Sequence, residues 1–198
     1  GSALGTAVEG FKSSRIWEVF GEITEYVKPP ETLNDDITFE LALLEAFREK
    51  GYDITSEDIA DKWVGYIPFA YTAEEIALNH LRHGIYPPES GYVANPYREM
   101  IGAAMRAAIC GALAPANPRM AAELAWRDGC VSHHNNGILA EVFNALIVSM
   151  AYVETDMQVI LDKAMRMIPY IFPHTVPKPG GNPWTVRRPG MQMQGRCR

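Results

Sequence analysis

The feature that most constrains this chain is a series of helix-start signals, each followed by an apolar stretch of helical length. Asn34 precedes Ile37, Leu41, Leu44 and Ala46, and Phe39, Leu43 and Phe47 widen the same stripe. Thr55 with Asp58 and Thr72 with Glu75 have capping-box spacing, the first with Asp in the usual Glu/Gln place. Asn95-Pro96 and Asn117-Pro118 each put a side-chain acceptor at an N-cap and proline at the first helical position. Thr155 with Gln158 repeats the box. The spacing predicts helices over 35–50, 56–66, 72–83, 96–114, 118–129, 136–153 and 156–168. No segment combines sustained period-two alternation with hairpin turn chemistry, so the expected class is all-α.

A chain of 198 residues can bury one real core. Its 47% hydrophobic and 21% charged residues are ordinary for a globular protein. The net charge of -6 argues against nucleic acid as a partner, because phosphate binding needs a clustered basic face. Cys110, Cys130 and Cys197 are scattered, which fits neither a disulfide framework nor a zinc site. That usage suits a reducing compartment, and residues 1–10 lack the pattern of a secretory leader, so a cytoplasmic location is expected. The longest apolar stretch, 137–153, is interrupted by Glu141 and Asn144 and is short for a bilayer. It is expected to be a core helix, with no membrane partner. Before residue 34 there is one short amphipathic piece, Ser14 to Phe20, and a Pro29-Pro30 turn. Residues 173–198 are rich in Pro, Gly, Arg and Gln. Such a composition offsets little ordering entropy. The expected division is a helical domain over 1–172 and a poorly ordered tail over 173–198, resembling foreign or misread sequence.

Three features could carry chemistry. Asn34-Asp35-Asp36, with Thr38, sets two carboxylates and an amide oxygen at a helix start, and hard cations such as magnesium favour several oxygen ligands. The same pattern is what any helix start favours through capping and the dipole, and alone it reads that way more readily. Ser132-His133-His134-Asn135-Asn136-Gly137 joins two helices with groups that could hold a ribose or phosphate, or cap the next helix through Asn135 or Asn136. Glu9, between Val8 and Gly10, is available for acid–base work. His80 and His83 sit at a helix end and are read as structural. Gly102, Ala103, Ala104, Ala107, Ala108, Gly111 and Ala112 make 96–114 rich in small residues, which lets a helix or a ligand approach its backbone closely.

In this order the pieces resemble the ADP-ribosylglycohydrolase family. Gly1-Ser-Ala-Leu-Gly-Thr-Ala-Val-Glu-Gly10 is similar to its GDALG…E-G opening, and Asn34-Asp35-Asp36-Ile37-Thr38 to its T-D-D-T metal motif. Ile101-Gly102-Ala103-Ala104-Met105-Arg106 resembles its G-N-G-A-A-M-R segment, and Ser132-His133 its Thr-His turn. The resemblance runs from residue 1 to about 168. It implies an orthogonal multi-helix bundle, truncated at both ends, that would be built around two magnesium ions in the complete protein, with manganese as an alternative. It implies metal-dependent hydrolysis of the glycosidic bond in ADP-ribosyl conjugates or related ribosides. Glu9 and Asp36 would be catalytic, Asn34, Asp35 and Asp36 metal ligands, and Asn95, Gly102, Arg106 and His133 substrate-binding. The sequence departs from the family pattern at Ser2, Asn34 and Ile37. It also has no C-terminal D-x-D, since no Asp or Glu follows Pro173. This 198-residue chain is therefore expected to be inactive or nearly so. A non-catalytic ADP-ribose or nucleotide binder and a plain helical interaction domain are the competing readings.

Overall fold

A computed structural model describes residues 2–27 and 34–171. The expected Pro29-Pro30 turn and the tail lie outside them. The described residues are helical and contain no strand. The helices are α1 (Ser2–Gly5), α2 (Ser13–Phe20), α3 (Asp35–Lys50), α4 (Ser56–Tyr66), α5 (Thr72–Arg82), α6 (Glu89–Tyr92), α7 (Gly102–Met105), α8 (Ala107–Leu113), α9 (Pro118–Gly129), α10 (Asn136–Met150) and α11 (Met157–Ile171). A 3-10 turn over Thr6–Val8 follows α1. No helix among the described residues is long and apolar enough to cross a membrane.

The apolar run between 137 and 153 is the central helix, as its composition requires. In α10, Ile138, Val142, Phe143, Ala145 and Leu146 are all buried, and α7, α8, α9 and α11 pack around it. Small residues let α8 approach closely. A Cβ on Gly111 would stand 2.5 Å from Val148 Cβ and 2.7 Å from the Ala145 carbonyl oxygen. Helix packing therefore accounts for this glycine. On the other side α3 lies against α4, where the Phe39 and Trp63 rings meet with centroids 4.4 Å apart.

Several caps form as expected. Asn34 Oδ1 accepts from Ile37 N–H at 3.0 Å, Thr55 and Asp58 make a reciprocal capping box, and Asn117 Oδ1 accepts from Met120 N–H. Others do not. Thr72 is the first residue of α5 with φ +45°, and Tyr71 takes the N-cap without a side-chain bond, so the Thr72–Glu75 box is absent. At α11 the acceptor is Asp156, which takes the N–H groups of Gln158 and Val159; Thr155 is not the cap. Asn135 holds the N-cap position of α10 without a side-chain cap bond.

The largest departure concerns 96–114. Instead of one helix there are turns over 96–101, then α7, a break at Arg106 and α8. Asn95 caps no helix: its Oδ1 accepts from Tyr97 N–H at 3.1 Å across a turn, and its amide nitrogen is engaged elsewhere. Its Nδ2 donates to the carbonyls of Ala73, Gly91 and Ser132 at 3.1–3.2 Å. At 0% exposure, those bonds satisfy the donors of a buried amide. Tertiary demand overrides a local signal here.

Candidate functional site

A buried charged network lies where α5, α7, the end of α9 and the 130–137 loop meet. Its hub is Arg106, only 1% exposed. Its Nη1 donates to Glu74 Oε1 at 3.0 Å, its Nε to Asp128 Oδ2, and its Nη2 to Ser132 Oγ at 2.9 Å. The guanidinium also lies over the rings of Trp63 and Phe39, at 4.9 and 5.4 Å from their centroids. Burial alone would lower the guanidinium pKa, but the neighbouring carboxyl groups, Asp128 foremost, raise it, so it stays charged.

The other members follow from the helices that carry them. Glu74, in the first turn of α5, has its pKa raised by burial, with Arg106 opposing that shift. Gly102 makes room for it, since a Cβ there would stand 2.0 Å from Glu74 Oε1. Glu141, the charge that interrupts the apolar run of α10, is fully buried. Burial pushes its carboxyl well above the usual range, Asp128 adds to this, and Glu141 lies in hydrogen-bond contact with Asp128. Glu141 Oε2 and Asp128 Oδ1 are both buried atoms without a partner if both groups are ionised. A proton on Glu141 leaves that carboxyl uncharged beside Asp128 and able to donate to it. Cys110 Sγ lies 3.9 Å from the other Glu141 oxygen, and burial raises that thiol well above its usual value.

The Glu141 proton has a consequence for stability. In the unfolded chain this carboxyl ionises near its ordinary value of 4.5. Its folded pKa is higher, so its contribution is fully present below the unfolded value and is lost as pH rises toward the folded value. Glu141→Gln keeps the shape and the donor but removes the titration. The variant is expected to gain on the wild type by up to about 1.4 kcal/mol per pH unit in urea unfolding as pH rises above the carboxyl's unfolded value. Parallel stability profiles would show that Glu141 is ionised in the fold.

His133 is the polar end of the network, at 1% exposure. Its Nδ1 lies 2.8 Å from Ser132 Oγ, and its Nε2 lies 3.9 Å from Glu74 Oε1. Burial, then Arg106, lowers its pKa to about 3, so the ring is neutral near pH 7. The loop is held from outside as well. His134 N–H donates to the Arg98 carbonyl, and the Asn135 and Asn136 amides both donate to the Glu99 carboxylate. His80 Nδ1 and His83 Nδ1 each pair with a backbone carbonyl, of Ser90 and Asn79.

The four expected substrate-binding residues therefore come together, but mostly around protein partners. Asn95, Gly102, Arg106 and His133 all reach Glu74 or Ser132 directly, and Asn95, Arg106 and His133 are at most 1% exposed. The acidic helix start lies in a different setting. Asn34, Asp35 and Asp36 are half-buried and Glu9 is exposed. Asn34 Nδ2 donates to Thr6 Oγ1 at 2.8 Å, which brings the first turn beside α3. The two regions are within electrostatic reach of one another, since Asp35 adds to the rise of the Glu74 pKa. Sequence reasoning passed over Glu74, Asp128 and Glu141. The one available signal was Glu141, a charge in an otherwise apolar stretch.

For a metal, the donor chemistry is right and the number is small. Asp35 and Asp36 offer hard carboxylate oxygens, but Asp35 Oδ1 already accepts from Asp36 N–H at 3.1 Å and Asn34 Oδ1 caps Ile37. Among the described residues no three His, Cys, Asp or Glu side chains form a metal-holding group. Two ions, each taking about six oxygens, need more than this. The donor set therefore suits a partial shell for one hard cation and does not fit a two-ion centre.

These features define an all-helical domain with an acidic helix start beside a buried, arginine-centred network. The description ADP-ribosylglycohydrolase belongs to the family model that matches residues 1–188, and the chain belongs to that family. No curated protein sequence matches it.

Proposed function

We propose that this chain is a hydrolase of ADP-ribosyl conjugates or related ribosides, cleaving the glycosidic bond to the ribose. Glu9 and Asp36 carry the acid–base work in this reading. Asp35 and Asp36, with the Asn34 amide, would hold a divalent cation, magnesium or manganese. Asn95, Gly102, Arg106 and His133 form the frame behind the substrate. The observation that supports it best is the Thr6–Asn34 hydrogen bond, which keeps the turn leading into Glu9 beside the two aspartates. Family membership supports the substrate class.

A second reading is a non-catalytic binder of ADP-ribose or a related nucleotide. It is favoured by the short donor set, two aspartates with no third metal-holding side chain among the described residues. One experiment separates the two. The chain is titrated with ADP-ribose by calorimetry, with and without magnesium, and then assayed for ADP-ribose released from ADP-ribosylated peptides. Hydrolysis predicts weak but magnesium-dependent release, consistent with the low activity expected of these 198 residues, that falls roughly 100-fold in Glu9→Gln. Binding without release supports the second reading. Absence of both binding and release rejects both.

A further inference from the structure

We propose that Ser132 is a positioning residue that sets the tautomer of His133, holding its proton on Nε2 so that the imidazole is a donor and not a base. Arg106 Nη2 can only donate, and it does so to Ser132 Oγ at 2.9 Å. The serine hydroxyl has one proton of its own to place. The atom within reach is His133 Nδ1 at 2.8 Å, and both side chains are buried from water. Nδ1 must then accept, and in a neutral ring the proton sits on Nε2.

The far side of the ring agrees independently. Nε2 is buried with no hydrogen-bond partner and lies 3.9 Å from Glu74 Oε1, the same oxygen that accepts from Arg106. A bare Nε2 lone pair would face a carboxylate oxygen, which is repulsive, whereas an N–H there is attracted to it. The ring is also fenced in. A Cβ on Gly137 would stand 2.8 Å from His133 Cδ2, and one on Gly91 would stand 2.7 Å from the His133 carbonyl oxygen. The directional chain therefore runs from Arg106 through Ser132 to His133 and points an N–H toward Glu74. Its consequence for catalysis, which rests on the reading proposed above, is that His133 can steady an oxygen and cannot take a proton from water.

The test is nitrogen NMR of the full chain labelled with 15N-histidine, with the His133 resonances assigned through His133→Gln. The expected result near neutral pH is a pyridine-type Nδ1 and a pyrrole-type Nε2. In Ser132→Ala the lock is lost and the Nδ1–H form gains population; Ser132→Thr, which keeps the hydroxyl, restores the wild-type pattern. A pyrrole-type Nδ1 or an imidazolium in the wild type would overturn the proposal, as would an unchanged spectrum in Ser132→Ala. If that variant does not fold, the wild-type and Ser132→Thr spectra still decide. None of these readouts depends on turnover, so failure of the tautomer argument is distinct from failure of the proposed activity.

Discussion

Replacing Arg106 with methionine is expected to lower the unfolding free energy by about 3–5 kcal/mol, the usual cost of removing one partner from a buried ion pair. Methionine keeps much of the length and the apolar contact with Phe39 and Trp63. It removes the one cation that, among the described residues, pairs with both Glu74 and Asp128, which are 2% and 0% exposed. Ser132 loses its donor as well. Domains of this size have about 5–15 kcal/mol in total, so the variant should unfold at far lower urea, read by circular dichroism. The pH dependence gives a second check. Glu74 already has a raised pKa, and without the cation it rises further. Stability of the variant should then recover as pH falls and Glu74 takes up a proton. Adding Glu74→Gln and Asp128→Asn to Arg106→Met should recover part of the loss at neutral pH, because no unpaired charge is left. A stability change under about 1 kcal/mol in the single variant would mean that the network does not hold the fold.

The second large effect is expected at Gly102. Alanine there should cost about 1–3 kcal/mol as simple overpacking, and more if the displaced carboxylate loses Arg106. The new methyl would stand 2.0 Å from Glu74 Oε1 and 2.6 Å from Glu74 Cδ. Glu74 is hemmed in, so its carboxylate must swing off the guanidinium. Gly102 is in a helix, where alanine is intrinsically better by up to about 1 kcal/mol, so any loss is net of that gain. A double-mutant cycle isolates the cause. In a Glu74→Ala background the clash is gone, and Gly102→Ala should be neutral or mildly stabilising. Equal cost in both backgrounds would place the origin in the backbone and not in Glu74.

Much of the secondary structure was legible because it is written in local physics. The Asn34, Thr55 and Asn117 caps act within three residues of themselves, and the apolar stripes they open have the helical period. The family resemblance was legible for a similar reason: short motifs in order survive without knowledge of contacts, and the match over 1–188 bears it out. What the sequence could not disclose is which polar residues face inward together. Asn95 looks like a cap until the distant carbonyls of Ala73 and Ser132, with that of nearby Gly91, surround its amide, and the helix expected over 96–114 gives way to turns and breaks at Arg106. Glu74 looks like an ordinary first-turn acid, and Asp128 like a helix-end one. Arg106, 32 residues from one and 22 from the other, makes them a network. Sequence by itself determined most of the helices and the family, since both depend on spacing along the chain. The tertiary structure alone decided that Asn95, Arg106 and His133 are buried around Glu74 and Ser132 while Glu9 stays exposed. That choice depends on desolvation and on complementary charge across packed helices, which no local pattern records.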